Sequence, residues 1–349
     1  MKIAVYTIAL NEEQFVETWY NSAKEADYLL IADTGSTDNT IKRAKELGIN
    51  VISVSVSPWR FDVGRNCSLA ALPLDIDYCV ALDMDETLQE GWRPELEKLF
   101  ESGVTRPRYQ YTWSWKEDGT PGLQYGGDKI HTRKGYVWKH PVHEVIRADR
   151  LEETQGWCGL EIHHHPDATK PRSSYLPLLA LSVKEDPWDD RNAYYYAREL
   201  YFYGEQEQAA KEFRRHLGLP TALWKPERAA SMRYLAKCEP DNAEKWFIAA
   251  TLEDPNRREP LVDLAQFYYR QLDWAKCYEA ATGALNIEDK PMDYLCEAFA
   301  WGALPWDLGA IAAHYLGLPE EALKLGTKAL ELDPTNERLA NNLVFYKGK

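Results

Sequence analysis

Two short clusters hold the residues with which this chain can do chemistry. In the first, the apolar run Tyr78-Cys-Val-Ala-Leu82 leads into Asp83-Met84-Asp85-Glu86. Two carboxylates two residues apart at the exit of a strand can reach one hard cation, and a cation held there can neutralise a diphosphate. The same acids would also suit a helix N-terminus, where the macrodipole favours negative charge. The other cluster is Ile31-Ala-Asp33-Thr-Gly35-Ser-Thr37-Asp38-Asn-Thr40. Asp33 can accept hydrogen bonds from ribose hydroxyls or a base N–H, Gly35 permits a turn, and Ser36 to Asp38 can cap the next helix. Read alone, this cluster is equally a turn followed by a cap.

Later in the chain, His163, His164 and His165 follow Leu160-Glu161-Ile162. On a strand His163 and His165 share one face and His164 lies on the other, so at most two can look into one pocket without a turn. Tyr109, Tyr111, Trp113, Trp115 and Tyr125 read as one packed face of strands, with any exposed member free to act as a sugar or peptide platform.

The elements that must position these groups fall into two halves. Strand-like runs at Ile3–Leu10, Tyr28–Asp33, Val51–Val56 and Tyr78–Leu82 alternate with helices predicted near Glu12–Ser22, Asn39–Leu47 and Val63–Leu72. That is a βαβ opening, and ligands of open α/β sheets bind at the strand ends where both acidic clusters lie. After Pro187 the pattern changes to paired amphipathic helices. Ala209, Ala243 and Cys277 recur at intervals of 34, with Phe213 matching Phe247, Ala250 matching Ala284 and Tyr234 matching Tyr268. A last hairpin with Trp306, Ala322, Ala329 and Pro334 is displaced by 45, which predicts about 11 inserted residues near Met292–Gly302. The pattern resembles the tetratricopeptide repeat, including the closing prolines Pro255 and Pro334. The expected glycine of each first helix is replaced by Ala197, Ser231, Ala265 and Ala310, small enough for helices to approach closely. Unrelated helices packed as an irregular α-domain are the alternative.

Composition narrows the class. A formal charge of −14 would repel a phosphate backbone, so general nucleic-acid binding is not expected. The cysteines Cys67, Cys79, Cys158, Cys238, Cys277 and Cys296 form no C-x-x-C pair and read as reduced, buried small residues. The opening apolar run meets Asn11-Glu12-Glu13 too soon for a signal peptide, and no run approaches the ~20 apolar residues of a membrane span, so the expectation is a soluble, cytoplasmic protein.

In order along the chain, Ala9-Leu-Asn11-Glu12-Glu13, Asp33-Thr-Gly-Ser-Thr-Asp38, Phe61-Asp62 with Arg65-Asn66, Leu82-Asp-Met-Asp-Glu86, Gly135-Tyr-Val-Trp138, Val142-His143-Glu144 and His165-Pro-Asp167 with Lys170 resemble the family-2 glycosyltransferases. More narrowly, they are similar to the subgroup with tetratricopeptide repeats behind the catalytic domain. The resemblance implies an α/β GT-A domain over 1–185, Rossmann-like and binding a nucleotide sugar, followed by an all-α repeat domain over 186–349. Its implied site has Thr7 and Ala9 beside the nucleotide through their backbone, Asn11 and Glu12 near it, and Asp33 on the base or ribose. Arg65 would lie close to the diphosphate or hold the aspartates in place, with a plain structural salt bridge as its other reading. Asp83 would sit near ribose and metal, Asp85 would bind the metal, and His165 would be the third ligand, with His163 as fallback. Inversion requires a base to take the acceptor proton; Glu144, paired with His143, is the first candidate and Glu86 the second.

The implied activity is transfer of a hexose or N-acetylhexosamine from a nucleoside diphosphate sugar, a UDP-sugar foremost, with Mn²⁺ or Mg²⁺. The repeats would recognise a protein, peptide or glycan acceptor, form a homodimer, or buttress the catalytic half. Two other readings remain: a sugar-phosphate nucleotidyltransferase, against which the missing Gly-rich loop at Ala9–Glu13 speaks, and a scaffold with a degenerate transferase domain, against which Arg65, Asp83 and Asp85 speak.

Overall fold

A computed structural model describes residues 1–167 and 175–347, so Lys170 lies outside the described residues. The chain divides into two compact units, Met1–Ser182 and Val183–Lys349.

The first unit runs β1 (Ile3–Ala9), α1 (Val16–Ala23), β2 (Tyr28–Asp33), α2 (Thr40–Glu46), β3 (Asn50–Ser53), α3 (Phe61–Ala71), β4 (Tyr78–Ala81), β5 (Glu86–Leu88), α4 (Trp92–Glu101), β6 (Arg106–Thr112), β7 (Gln124–Gly127), β8 (Ile130–Thr132), β9 (Tyr136–Lys139), β10 (Val145–Ala148) and β11 (Gln155–His164). Its main sheet has the order β3-β2-β1-β4-β8, parallel except for the edge strand β8. Because β1, β2 and β4 run parallel, Ala9, Asp33 and Leu82 all reach one edge of the sheet, as crossovers through helices require. A smaller sheet, β5-β11-β6-β7, lies beyond it. Trp19 of α1 is wholly buried and donates its indole N–H to the carbonyl of Leu82 at 3.0 Å, which anchors the helix to the strand exit before Asp83.

The helix expected from Glu12 begins only at Val16. The backbone N–H groups of Asn11, Glu12 and Glu13 are taken by Ser36, Thr40 and Asp38 side chains instead, at 2.9, 2.8 and 3.1 Å. Side-chain oxygens of one βα loop therefore satisfy the donors of the other.

Helix α5 (Tyr175–Glu185) spans the boundary. The second unit is built of hairpins: α6 (Asp190–Phe202) with α7 (Gln206–Gly218), α8 (Lys225–Cys238) with α9 (Ala243–Glu253), α10 (Arg258–Arg270) with α11 (Trp274–Leu285), and α13 (Leu304–Tyr315) with α14 (Pro319–Leu332). A short α12 (Ala298–Trp301) precedes the last pair, and α15 (Glu337–Tyr346) packs on α14. The 34-residue register is structural. Ala197, Ser231, Ala265 and Ala310 are all wholly buried, as are Ala209 and Cys277, which is why only small side chains recur there. The predicted insertion lies between α11 and α13. It runs across the first helices of three hairpins: Tyr294 stacks on Tyr195 of α6, Arg233 of α8 pairs with Glu297, and Glu259 of α10 accepts from the backbone of Glu297 and the indole of Trp301.

Only Cys79, Cys277 and Cys296 are buried, whereas Cys67 is exposed; every cysteine is a free thiol. No described helix is long and apolar enough to cross a membrane.

Candidate active site

The acidic exit of β4 is the centre of a buried charge network. Arg65, from α3, donates Nη2 to Asp83 Oδ1 at 2.7 Å and Nε to Glu144, and its guanidinium lies 4.8 Å from the ring centre of Trp138. Lys129, just before β8, donates to Asp83 Oδ2 at 2.6 Å and to Glu86 Oε1 at 2.8 Å. Burial opposes the charge of Asp83 most strongly, yet the attraction of Arg65 and Lys129 outweighs it and holds the carboxyl well below its usual range. Asn66, one residue on, makes two hydrogen bonds to the backbone of Trp138 and so locks α3 to β9.

The second centre lies on β5 and β11. Their antiparallel register sets His164 against Glu86 and His163 against Thr87. Leu160, Ile162 and His164 form the buried face of β11, while His165 is exposed. His164 Nδ1 is 3.0 Å from the carbonyl of Trp113, which can only accept, so Nδ1 carries the proton. Nε2 then faces Asp85 Oδ2 at 3.3 Å. Burial disfavours the imidazolium, but the Asp85 carboxylate and the Trp113 carbonyl together push the His164 pKa up. Trp113 stacks on His164 with ring centres 4.3 Å apart, and Trp115 donates its indole N–H to the His164 carbonyl at 3.0 Å. Thus the exposed end of the aromatic run positions histidines, and Tyr109 and Tyr111 are core. Asp85 and His165 line a cleft of about 240 Å³ with Gln14, Phe15, Thr18, Met84 and Thr87.

The structure gives several of the expected site residues contacts of their own within the fold. Thr7 is completely buried in the main sheet and its carbonyl accepts from Ser68, while the Ala9 carbonyl already accepts from both the N–H and the hydroxyl of Thr34; neither offers an open backbone acceptor. Asn11 spends its side-chain oxygen on the backbone N–H of Thr37 at 2.8 Å, so it staples two loops. Glu12 contributes its N–H to the same staple. Asp33 is 3% exposed and accepts from the N–H groups of Gly35 and Ser36, which is the turn-holding reading. Glu86 is buried, accepting from the Asp83 N–H, Tyr111 and Lys129. Asp83 commits one oxygen to Arg65 and the other to Lys129, whereas Asp85 faces His164 Nε2 and shares the cleft with His165. His163 lies 3.2 Å from Glu161. Arg65 bridges Asp83 and Glu144. Glu144 has Arg65 on one oxygen and no hydrogen-bond partner for the other among the described residues. His143 beside it has φ of +50°, an uncommon backbone state for a residue with a side chain.

The sequence profile of glycosyl transferase family 2 matches residues 4–147, which span both acidic clusters, Arg65 and Glu144. Residues 4–147 are a family-2 glycosyltransferase domain. An uncharacterized glycosyltransferase of Rickettsia typhi is 34% identical to the chain over 102 residues, 29% of this chain and 34% of that protein. Another, from Rickettsia bellii, is 35% identical over the same length, 29% of this chain and 33% of the relative. The chain spans about a third of the length of these curated relatives. Among solved structures, the glucosyl-3-phosphoglycerate synthase of Mycobacterium tuberculosis, in complex with Mn²⁺, UDP and glucosyl-3-phosphoglycerate, is 30% identical over 32% of this chain and 44% of its own, with a TM-score of 0.27.

In the transferase domain Lys129 is the ionic partner that the motifs do not announce. It stands in Gly126-Gly-Asp-Lys-Ile130 without a spacing that marks it, and only the antiparallel pairing of β8 with β4 carries it to Asp83.

Proposed function

We propose that the chain is a metal-dependent, inverting glycosyltransferase that moves a hexose or N-acetylhexosamine from a nucleoside diphosphate sugar, a UDP-sugar foremost, to a protein, peptide or glycan. The observation that carries this reading is the family-2 domain whose Asp85 carboxylate and proton-fixed His164 converge beside a cleft at the strand ends. An imidazole with one nitrogen pinned by a carbonyl and the other turned towards a carboxylate is a donor set that fits Mn²⁺ better than the oxygen-seeking Mg²⁺. When bound, the cation would neutralise charge on the diphosphate leaving group.

The chain's own groups do the rest. Arg65 has one buried N–H group, Nη1, without a partner among the described residues, which suits an anionic oxygen approaching the cluster. Lys129 and Arg65 keep Asp83 ionised at a partly buried position. Glu144 is the candidate base, with its open oxygen as proton acceptor and Arg65 fixing its orientation. The repeats are the candidate acceptor surface.

Screening nucleotide sugars for release of free nucleotide, with and without Mn²⁺, tests the reading. Donor-specific, metal-stimulated release that disappears in Asp85→Ala is expected. Full-rate, metal-independent release in that variant would overturn the metal assignment, and no release with any nucleotide sugar would overturn the transferase reading.

A further inference from the structure

Away from the transferase domain, one cluster in the first helical hairpins has the chemistry of a second site. Asp190 opens α6, His216 lies in the last turn of α7, and Glu227 lies in the first turn of α8. One ligand-type atom from each, a ring nitrogen and two carboxylate oxygens, lies within 4.8 Å of the others. We propose that these residues form a structural site for a divalent transition metal, Zn²⁺ by its ligand chemistry, that clasps the ends of three helices.

The second observation is His216 itself. It is wholly buried, its Nδ1 is 2.8 Å from Ser231 Oγ, and its Nε2 has no hydrogen-bond partner. A buried polar atom left unpaired costs about 1–3 kcal/mol, so such an atom beside two carboxylates calls for an explanation. If Nδ1–H donates to Ser231, the Nε2 lone pair is left buried without a donor. If Nε2 carries the proton, no acceptor lies within hydrogen-bond distance. A cation resolves the first arrangement, and Ser231 then serves as the outer partner that fixes the tautomer.

Two carboxylates balance a divalent charge. One imidazole with two carboxylates suits Zn²⁺, whereas Ca²⁺ requires more oxygen ligands and Mg²⁺ prefers oxygen throughout. Of the guanidinium groups near His216, Arg228 is engaged with Glu253 and the carbonyls of Leu217 and Ala222, and Arg215 with Glu212 and the carbonyl of Pro187, while the charge of Arg191 acts on Glu227. The Tyr294 hydroxyl, from the insertion, donates to Glu227 and borders the site.

The test uses the full-length chain carrying Asp85→Asn and His164→Asn, so that the transferase site is disabled as a metal binder. After chelator treatment and dialysis, zinc uptake is measured by competition with a chromophoric chelator and by mass spectrometry of the metal, and thermal unfolding is followed with and without Zn²⁺. About one tightly held zinc and a raised unfolding midpoint are expected. Adding Glu227→Gln should weaken zinc binding at least about tenfold and abolish the rise. Asp190→Asn, at the half-buried helix start, should do the same and decides the matter if Glu227→Gln does not fold. Zinc uptake unchanged in a folded variant, or no tight zinc in the parent, would overturn the site and leave a buried water as the occupant.

Discussion

His164 turns Nε2 towards Asp85 Oδ2 at 3.3 Å while its Nδ1 is held by the carbonyl of Trp113 at 3.0 Å. The neighbouring His165 instead stacks parallel to Trp115. This difference yields a test that needs no donor sugar. Mn²⁺ binding to the full chain, read as loss of the free-ion electron paramagnetic resonance signal, should weaken at least about tenfold in Asp85→Asn and in His164→Asn, and less than about threefold in His165→Asn. The reverse order of the two histidine variants would return the ligand role to His165.

The Asp83–Arg65–Glu144 and Asp83–Lys129–Glu86 links share one carboxylate, so removing Lys129 takes the ionic partner from Glu86 and leaves Asp83 with Arg65 alone. Lys129→Met should destabilise the transferase domain by about 2 kcal/mol, somewhat under the usual loss for a fully buried pair, because Glu86 is buried but Lys129 and Asp83 are partly exposed. Urea unfolding followed by tryptophan fluorescence measures it. Adding Glu86→Gln should restore part of the loss, since one stranded charge disappears; no recovery would show that Lys129 acts through packing alone.

His131 gives the domain a defined acid response. It is wholly buried, with Tyr6 at 3.0 Å and the Thr132 carbonyl at 2.8 Å, and burial pushes its pKa down to about 4. The unfolded chain binds this proton near pH 6.5 while the folded chain resists it until about pH 4. Stability from the neutral ring is therefore complete above pH 6.5 and falls as the pH drops towards 4. The span corresponds to about 3 kcal/mol at 1.36 kcal/mol per unit. His131→Gln should show a flatter urea midpoint between pH 6.5 and 4 than the parent. An equal slope would mean that the folded ring already takes up its proton freely.

Much of this architecture is legible in the residues. Continuous apolar runs ending in Asp33 and Asp83 place both at strand exits, and the 34-residue recurrence marks the hairpins because tight helix contacts admit only small side chains. Leu160 and Ile162 alternate as the buried face of β11, which puts His164, two residues on, inward with them and leaves His165 exposed. Pairing across strands is harder to read. Nothing local to Lys129 or Glu144 indicates that β8 would carry one to Asp83, or that Arg65 would bridge Asp83 to the other. Asn11 and Asp33 fit a nucleotide site by type, yet their oxygens satisfy loop N–H groups, a use that only the fold reveals.

The insertion bears on how the repeats meet an acceptor. Tyr294 stacks on Tyr195 at 5.9 Å and lies 5.5 Å from Trp224, Asp293 pairs with Arg257, and Trp301 covers Arg258 with its ring centre 4.2 Å from the guanidinium. These contacts spend the aromatic and charged groups that the first helices would otherwise offer a partner. Tyr294→Ala deletes two ring contacts and the hydrogen bond to Glu227, so the segment should detach locally while the surrounding hairpins persist. Limited proteolysis should then cut within residues 286–297 at least about tenfold faster, because cleavage tracks the population of the opened segment. Nucleotide release from the donor, governed by the transferase domain, should be unchanged. If the first-helix face recognises the acceptor, transfer to a peptide acceptor should rise once the face is uncovered. Faster proteolysis with unaltered transfer would instead assign the insertion a purely structural role, and unaltered proteolysis would show that Asp293, Glu297 and Trp301 hold the segment without Tyr294.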